Sequence, residues 1–185
     1  MTQEIVYGSL GQIAQQGRSI AETFATGVDA ILMIDVSGSM CTTDCREGQS
    51  RYDAACAELK RLQRQLPGKL AIIEWSDGHA FCPGGQPSGI KGMTNMAGVL
   101  RFVQIADGTG IKFILISDGE PDSEQETLDV ARKFSDKINT VYIGPENGPG
   151  RDFLRRLSAL TGGQFEEQNA NNMQLAQSVT KLLTQ

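Results

Sequence analysis

The stretch "AILMIDVSGSM", residues 30–40, sets an apolar run directly before a row of polar side chains. Residues 30–35 are almost continuously apolar, which is typical of a parallel strand buried on both faces of its sheet. Asp35, Ser37 and Ser39 then stand at alternate positions. A buried strand that ends in one carboxylate and two hydroxyls indicates that its carboxyl end holds a polar ligand.

Outward from this stretch, apolar runs of strand length alternate with segments of helical periodicity. The predicted strands are residues 30–35, 69–75, 79–82, 111–118, 138–144 and 164–167. The predicted helices are residues 9–25, 51–66, 95–106, 123–136, 151–160 and 171–183. The alternation predicts an α/β fold: a doubly wound, Rossmann-like, mostly parallel six-stranded sheet with helices on both faces. Residues 79–82, "HAFC", are expected to return as the one antiparallel edge strand.

The overall composition is that of one globular domain. The chain has 185 residues, a formal net charge of -5, 39% hydrophobic residues and 21% charged residues. The acidic balance and the lack of a basic stripe argue against nucleic acid as a partner. No apolar run approaches the roughly 18 residues of a membrane helix, and the amino-terminal residues lack a secretion-signal pattern, so we expect a cytoplasmic protein without membrane insertion. Residues 1–27 are predicted to form a helical extension that packs on a domain of residues 28–185.

A second carboxylate occupies the same kind of position as Asp35. Asp118 follows the apolar run of residues 111–117. If the two strands are neighbours at the point where the strand order reverses, their carboxylates lie across one crevice. Two close carboxylates repel each other, and a divalent cation removes this conflict. Mg²⁺ prefers oxygen ligands in a near-octahedral array, and the hydroxyls of Ser37 and Ser39 are neutral oxygen ligands.

Simpler interpretations exist for each of these residues. Asp35, Ser37 or Ser39 would serve as a helix N-cap. Asp118 with the glycine that follows it would make an ordinary turn. These interpretations explain less well why both acids follow long buried strands.

The hexapeptide "DVSGSM" resembles the D-x-S-x-S motif of the von Willebrand factor A (vWA, or integrin I-like) domain, in which it forms a metal-ion-dependent adhesion site (MIDAS). In that family a later threonine and an aspartate after the fourth strand complete the site. Thr94 in "GMTN" and Asp118 in "SDGEP" match these positions, and the resemblance spans about residues 28–183. Met93 stands where the family often has a second glycine. Thr94 has an alternative role as the N-cap of the next helix.

The resemblance implies a set of metal ligands. Ser37 and Ser39 should bind the ion directly, Asp35 and Asp118 directly or through water, and Thr94 in some states. The ion would be Mg²⁺, with Mn²⁺ or Ca²⁺ as alternatives. The family leaves one coordination position for an Asp or Glu of a partner protein. The function implied is therefore a metal-dependent protein–protein interaction and not an enzymatic one.

The cysteines and the single histidine suggest a second site. Cys41, Cys45, His79 and Cys82 are suitable zinc ligands, and Cys-x3-Cys is within known spacing. Residues three apart on a regular strand face opposite sides, so His79 and Cys82 converge only if the chain turns between them. A Cys41–Cys45 or Cys41–Cys82 disulfide, or reduced thiols, are the alternatives to Zn²⁺.

Two other functional classes remain open from the sequence. Intracellular relatives of the vWA family often act as accessory subunits of AAA+ ATPases of the MoxR or chelatase type. A metal-dependent hydrolase would use Asp35 and Asp118. Ser37 stands where a haloacid-dehalogenase-type phosphatase needs its second aspartate, and no Gly-x-Ser-x-Gly elbow or Ser/His/Asp set is evident.

Overall fold

The computed structural model describes residues 5–17, 19–90, 92–169 and 174–184. The strands are β1 Ala30–Asp35, β2 Leu70–Trp75, β3 His79–Phe81, β4 Lys112–Ser117, β5 Ile138–Gly144 and β6 Phe165–Asn169. The helices are α1 Leu10–Ala14, α2 Ile20–Gly27, α3 Arg51–Gln65, α4 Met96–Val103, α5 Glu124–Ala131, α6 Pro149–Leu160 and α7 Leu175–Thr184. None of these helices is long and apolar enough to cross a lipid bilayer.

The six strands form one sheet in the order β3-β2-β1-β4-β5-β6. Every neighbouring pair is parallel except β2–β3, which is antiparallel. The strand order reverses at β1, which pairs with β2 on one side and with β4 on the other. The predicted fold class is therefore confirmed, and the carboxyl ends of β1 and β4 lie side by side at the switch point.

Both faces of β1 are buried, as its apolar run requires. Ile31 and Met33 belong to the core that includes residues of α4, α5 and α6. Leu32 and Ile34 belong to the core on the other face, which includes residues of α3 and α7. The alternation of side chains along a strand distributes its apolar residues between the two layers. With no polar position inside the strand, the first polar groups of β1 appear at its carboxyl end.

The single helix predicted over residues 9–25 is wrong, because two short helices occupy this segment. Gly17 has a φ of +109°, which a helix does not accommodate. Ser19 then begins α2 with a capping box, in which its side chain accepts from the Glu22 N–H and the Glu22 carboxylate accepts from the Ser19 N–H. Leu10 of α1 is buried in the same core as α4. The division into an extension of residues 1–27 and a domain of residues 28–185 stays a prediction.

The largest other differences from the predicted helix boundaries are at the end of α5 and at the start of the last helix. Helix α5 ends at Ala131 and not near residue 136. The Asp107 carboxylate accepts hydrogen bonds from the N–H groups of Ser135 and Asp136, so these groups do not continue the helix. The last helix begins at Leu175, and the predicted residues 171–173 lie outside the described part of the chain.

Candidate metal site at the carboxyl edge of the sheet

Asp35, the last residue of β1, connects the ends of two strands. Its side chain is fully buried. Oδ1 accepts a hydrogen bond from the Ser37 N–H at 2.8 Å, and Oδ2 accepts one from the Ser117 hydroxyl at 2.6 Å. Ser117 Oγ in turn accepts from the Gly119 N–H at 2.9 Å. One carboxylate therefore holds both the loop after β1 and the turn after β4.

The surroundings of Asp35 make its ionised form costly. Burial raises the pKa of Asp35 from 3.8 to about 6. This value is a net result, because hydrogen bonds from Ser117 and Ser37 lower the pKa and the nearby charge of Asp118 adds to the rise that burial causes. A cation placed near these two acids would favour their charged forms.

Ser37 and Ser39 lie in the loop that follows β1. Ser37 is buried and stands at the N-cap position of a 3-10 helix, Gly38–Cys41, but makes no capping hydrogen bond within the described chain. The Oγ atoms of Ser37 and Ser39 are 3.1 Å apart. Neighbouring ligands of an octahedral Mg²⁺, each at about 2.1 Å, are separated by about 3.0 Å. The spacing of the two hydroxyls therefore suits adjacent positions around such an ion.

The loop that carries Thr94 is tied to both other loops of this edge. The Gly38 N–H donates to the Gly92 carbonyl at 3.1 Å. Thr94 N–H donates to Asp122 Oδ1 at 3.0 Å, and the Asp122 N–H donates to the Thr94 carbonyl at 3.0 Å. The side chain of Asn95, not that of Thr94, caps α4 by accepting from the helix backbone. The N-cap role considered for Thr94 is therefore wrong, and its hydroxyl does not cap α4.

Asp118 follows β4 and differs from Asp35 in its partners. Its side chain is 6% exposed. Oδ2 accepts a hydrogen bond from Arg51 Nη1 at 3.1 Å. Oδ1 is buried and has no hydrogen-bond partner among the described residues. A buried carboxylate oxygen without a partner is costly in free energy, and a bound cation would relieve that cost.

The backbone conformation after Asp118 depends on glycine. Gly119 has a φ of +84°, and a Cβ there would lie 2.3 Å from the Gly150 carbonyl oxygen at the start of α6. A side chain at position 119 would therefore push α6 away from the end of β4. The alternative of an ordinary turn at Asp118 has only this positive φ in its favour, since no backbone hydrogen bond closes a turn there among the described residues.

Arg51 and Asp44 belong to this site although the sequence analysis missed both. The Arg51 guanidinium donates from Nε to Asp44 Oδ1 at 3.0 Å and from Nη2 to Asp44 Oδ2 at 2.6 Å. The hydrogen bond from Arg51 lowers the pKa of Asp44, against the effect of its burial. Arg51 is the first residue of α3, where the helix dipole disfavours a cation. That unfavourable position was the signal in the sequence that an anionic partner lies nearby.

The donors at this edge fit a hard divalent cation. Within the described residues, no three His, Cys, Asp or Glu side chains gather in a way that could hold a metal ion. A cation here would therefore depend on the hydroxyls of Ser37 and Ser39 together with the oxygen of Asp118 that lacks a partner in the described part of the chain. All of these donors are oxygen atoms, as Mg²⁺ and Mn²⁺ prefer.

His79 and Cys82, two of the four residues considered for zinc, lie in different surroundings. His79 is exposed, and its ring lies 4.3 Å from the Phe102 ring of α4. Cys82 is buried in the core on the opposite face, with α3 and α7. All four cysteines lie within the described residues, and none is in a disulfide. Cys45 packs on Ala54 while Cys41 is exposed. The zinc and disulfide hypotheses for these residues stay predictions, and this geometry lends them no support.

Comparisons with known proteins bear on the fold. No protein family and no curated protein matches the sequence. Among solved structures, the chain is similar to an aerotolerance-related membrane protein from Bacteroides fragilis NCTC 9343 with multiple mutations to serines. The identity is 14%, the match covers 85% of this chain and 97% of that one, and the TM-score is 0.63. At this identity the likeness shows the fold alone. The chain has a six-stranded, mostly parallel α/β fold with helices around the sheet, consistent with the vWA-like fold that its motifs predict.

Proposed function

We propose that this protein is a metal-dependent protein–protein interaction module that binds an acidic side chain of a partner through a divalent cation. The observation that carries the proposal is the buried oxygen of Asp118 that has no partner among the described residues. Asp118 follows β4, which pairs with β1, and the hydroxyl pair of Ser37 and Ser39 follows β1. Such an oxygen beside neutral donors is what a cation site requires before the ion arrives.

The residues at this edge would have two different roles, binding the ion and positioning the loops. Ser37, Ser39 and Asp118 would hold the ion, and Thr94 would approach it from its own loop. Asp35 would keep the site in shape, because its two oxygens already accept from the loop after β1 and from Ser117. When bound, the ion would supply a strong electrophilic centre, since most of its protein ligands are neutral. A carboxylate from a partner would then form a strong charge-assisted contact.

The site supports binding better than catalysis. A hydrolase would need a group to accept a proton close to the ion. Asp35, the carboxylate of the β1 end, is fully buried and both of its oxygens already accept hydrogen bonds. His79, the only histidine of the chain, is paired with Phe102 on the α4 side of the edge strand. We therefore propose a binding role, with Mg²⁺ or Mn²⁺ as the resident ion.

Calorimetric titration of the metal-stripped protein tests the first half of the proposal. We expect one site for Mg²⁺ or Mn²⁺, and loss of binding in the double variant D35A/D118A. D29A is the control, because Asp29 pairs with Lys69 at the amino ends of β1 and β2, away from the candidate metal site. Undiminished binding by D35A/D118A would place the ion elsewhere and end the assignment.

A pull-down from the native host tests the second half. The protein as bait should recover a partner in Mg²⁺ and lose it in chelator. A bait that carries S37A/S39A should also lose the partner, while the D29A bait should keep it. Replacement of the partner's contacting Asp or Glu should have the same effect as chelator. Partners that all bind equally well in excess chelator would show that the ion, if present, is structural.

A further inference from the structure

Arg51 lies between two carboxylates at the candidate metal site. Three of its nitrogen atoms donate hydrogen bonds: Nε and Nη2 to Asp44, and Nη1 to Asp118. The side chain of Arg51 is 10% exposed, that of Asp118 is 6% exposed and that of Asp44 is 33% exposed. The guanidinium is therefore a fixed positive charge held in a largely dry setting, where charges interact more strongly than in water.

This charge competes with a divalent cation for one carboxylate. A guanidinium always carries its charge, so it cannot be neutralised when an ion arrives. It is bonded to Oδ2 of Asp118 and leaves Oδ1 without a partner among the described residues. Arg51 thus orients Asp118 for an ion and at the same time repels that ion.

Asp44 sets the balance between these two effects. It takes two of the three donating nitrogens of Arg51, and the shorter contact, 2.6 Å against 3.1 Å, is the one to Asp44. A neutral side chain at position 44 would leave the guanidinium charge to Asp118 alone. Asp44, in the loop before α3, would therefore change the affinity for the ion only through its effect on Arg51.

We propose that Arg51 is a positioning residue that limits the affinity of the metal site, and that Asp44 relieves this limit by drawing the guanidinium charge away from Asp118. The inference rests on the proposed function and concerns the regulation of the same site. It goes beyond the set of oxygen ligands, because neither Arg51 nor Asp44 would touch the ion.

The test is a comparison of Mn²⁺ dissociation constants at fixed ionic strength for the wild-type protein and for D44N, R51Q and D44N/R51Q. We expect D44N to weaken binding and R51Q to strengthen it, each by about tenfold, within the ordinary range of coupling between sites. In the R51Q background D44N should change the dissociation constant less than about twofold, because Asp44 acts through Arg51. D29N is the control, since it makes the same change of charge at the amino ends of β1 and β2 and should leave the dissociation constant unaltered.

The outcomes separate this inference from the proposed function. A wild-type protein that binds no Mn²⁺ would overturn the proposed function, and this inference with it. A wild-type protein that binds Mn²⁺ while R51Q binds equally or less tightly would overturn only the inference. An effect of D44N that is equal in both backgrounds would show that Asp44 is a simple surface charge. If R51Q does not fold, D44N decides alone: its circular dichroism spectrum should be native and its affinity about tenfold lower, and an unchanged affinity would refute the inference.

Discussion

The ends of β1 and β4 carry one buried aspartate each, and the two differ in their hydrogen-bond partners. Asp35 gives each of its oxygens a neutral donor, the Ser37 N–H and the Ser117 hydroxyl, within the two strand ends themselves. Asp118 has one oxygen bonded to the charged Arg51 and another without a partner in the described chain. The difference teaches that two acids in equivalent positions of a sheet need not be equivalent ligands. Asp35 uses both oxygens to hold the loops in place, whereas one oxygen of Asp118 has no partner among the described residues.

The largest expected effect is the pH dependence that Asp35 imposes on the metal-free protein. Its pKa is about 6 in the folded state against an ordinary value of 3.8, so the folded state retains a proton that the unfolded state has lost. The contribution of protonated Asp35 to the free energy of unfolding is then complete below pH 3.8. It is lost as the pH rises to about 6, by on the order of 2–3 kcal/mol. Urea denaturation in chelator at a series of pH values measures this loss.

The matched variant for this prediction is D35N, which cannot ionise. The difference in unfolding free energy between D35N and the wild-type protein should grow with pH between about 4 and 6. If the two proteins keep a constant difference across this range, Asp35 does not titrate as its burial implies, and its contrast with Asp118 is lost.

A smaller loss should follow from removal of the Asp35 side chain. D35A leaves the buried Ser37 N–H and the Ser117 hydroxyl without their acceptor, which we expect to cost about 2 kcal/mol in metal-free protein at pH 4, where the folded protein keeps Asp35 protonated. D35N keeps an oxygen for one of these donors and should lose less. Equal losses in D35A and D35N at this pH, measured by urea denaturation, would mean that these hydrogen bonds contribute little to stability.

The smallest effect on stability should come from Asp118. D118N keeps the shape of the side chain, and Arg51 keeps its two contacts with Asp44, so the metal-free protein should change by only about 1 kcal/mol. The same variant should lose most of its affinity for Mn²⁺ in calorimetry. A D118N protein that fails to fold would show that Asp118 mainly supports the structure, as Asp35 does.

Much of this edge was predictable because its information is local. The apolar run of β1 ends at Asp35, and the alternate hydroxyls follow within four residues. The same pattern recurs at Asp118 after β4. The apolar runs and the glycine-rich breaks between them also predicted all six strands, although β3 is mostly exposed and β6 carries several polar residues. Sequence periodicity failed at residues 9–25, where apolar spacing continued across the break that Gly17 makes.

The contacts of Asp118 were not predictable in the same way. Arg51 is 67 residues away in sequence from Asp118 and belongs to another layer of the fold. Ser117 reaches Asp35 across 82 residues. Each of these side chains has several polar groups within reach along its own segment, so no spacing in the sequence selects the partner.

By itself, the sequence determined the alternation of strands and helices and the oxygen-bearing residues at the strand ends, because burial and hydrogen bonding constrain each segment locally. Only the tertiary structure decided that β1 and β4 are neighbours and that Arg51 is shared between Asp44 and Asp118. The physical reason is that hydrogen bonds and ion pairs act over about 3 Å, so their partners are chosen by the packing of whole elements and not by distance along the chain.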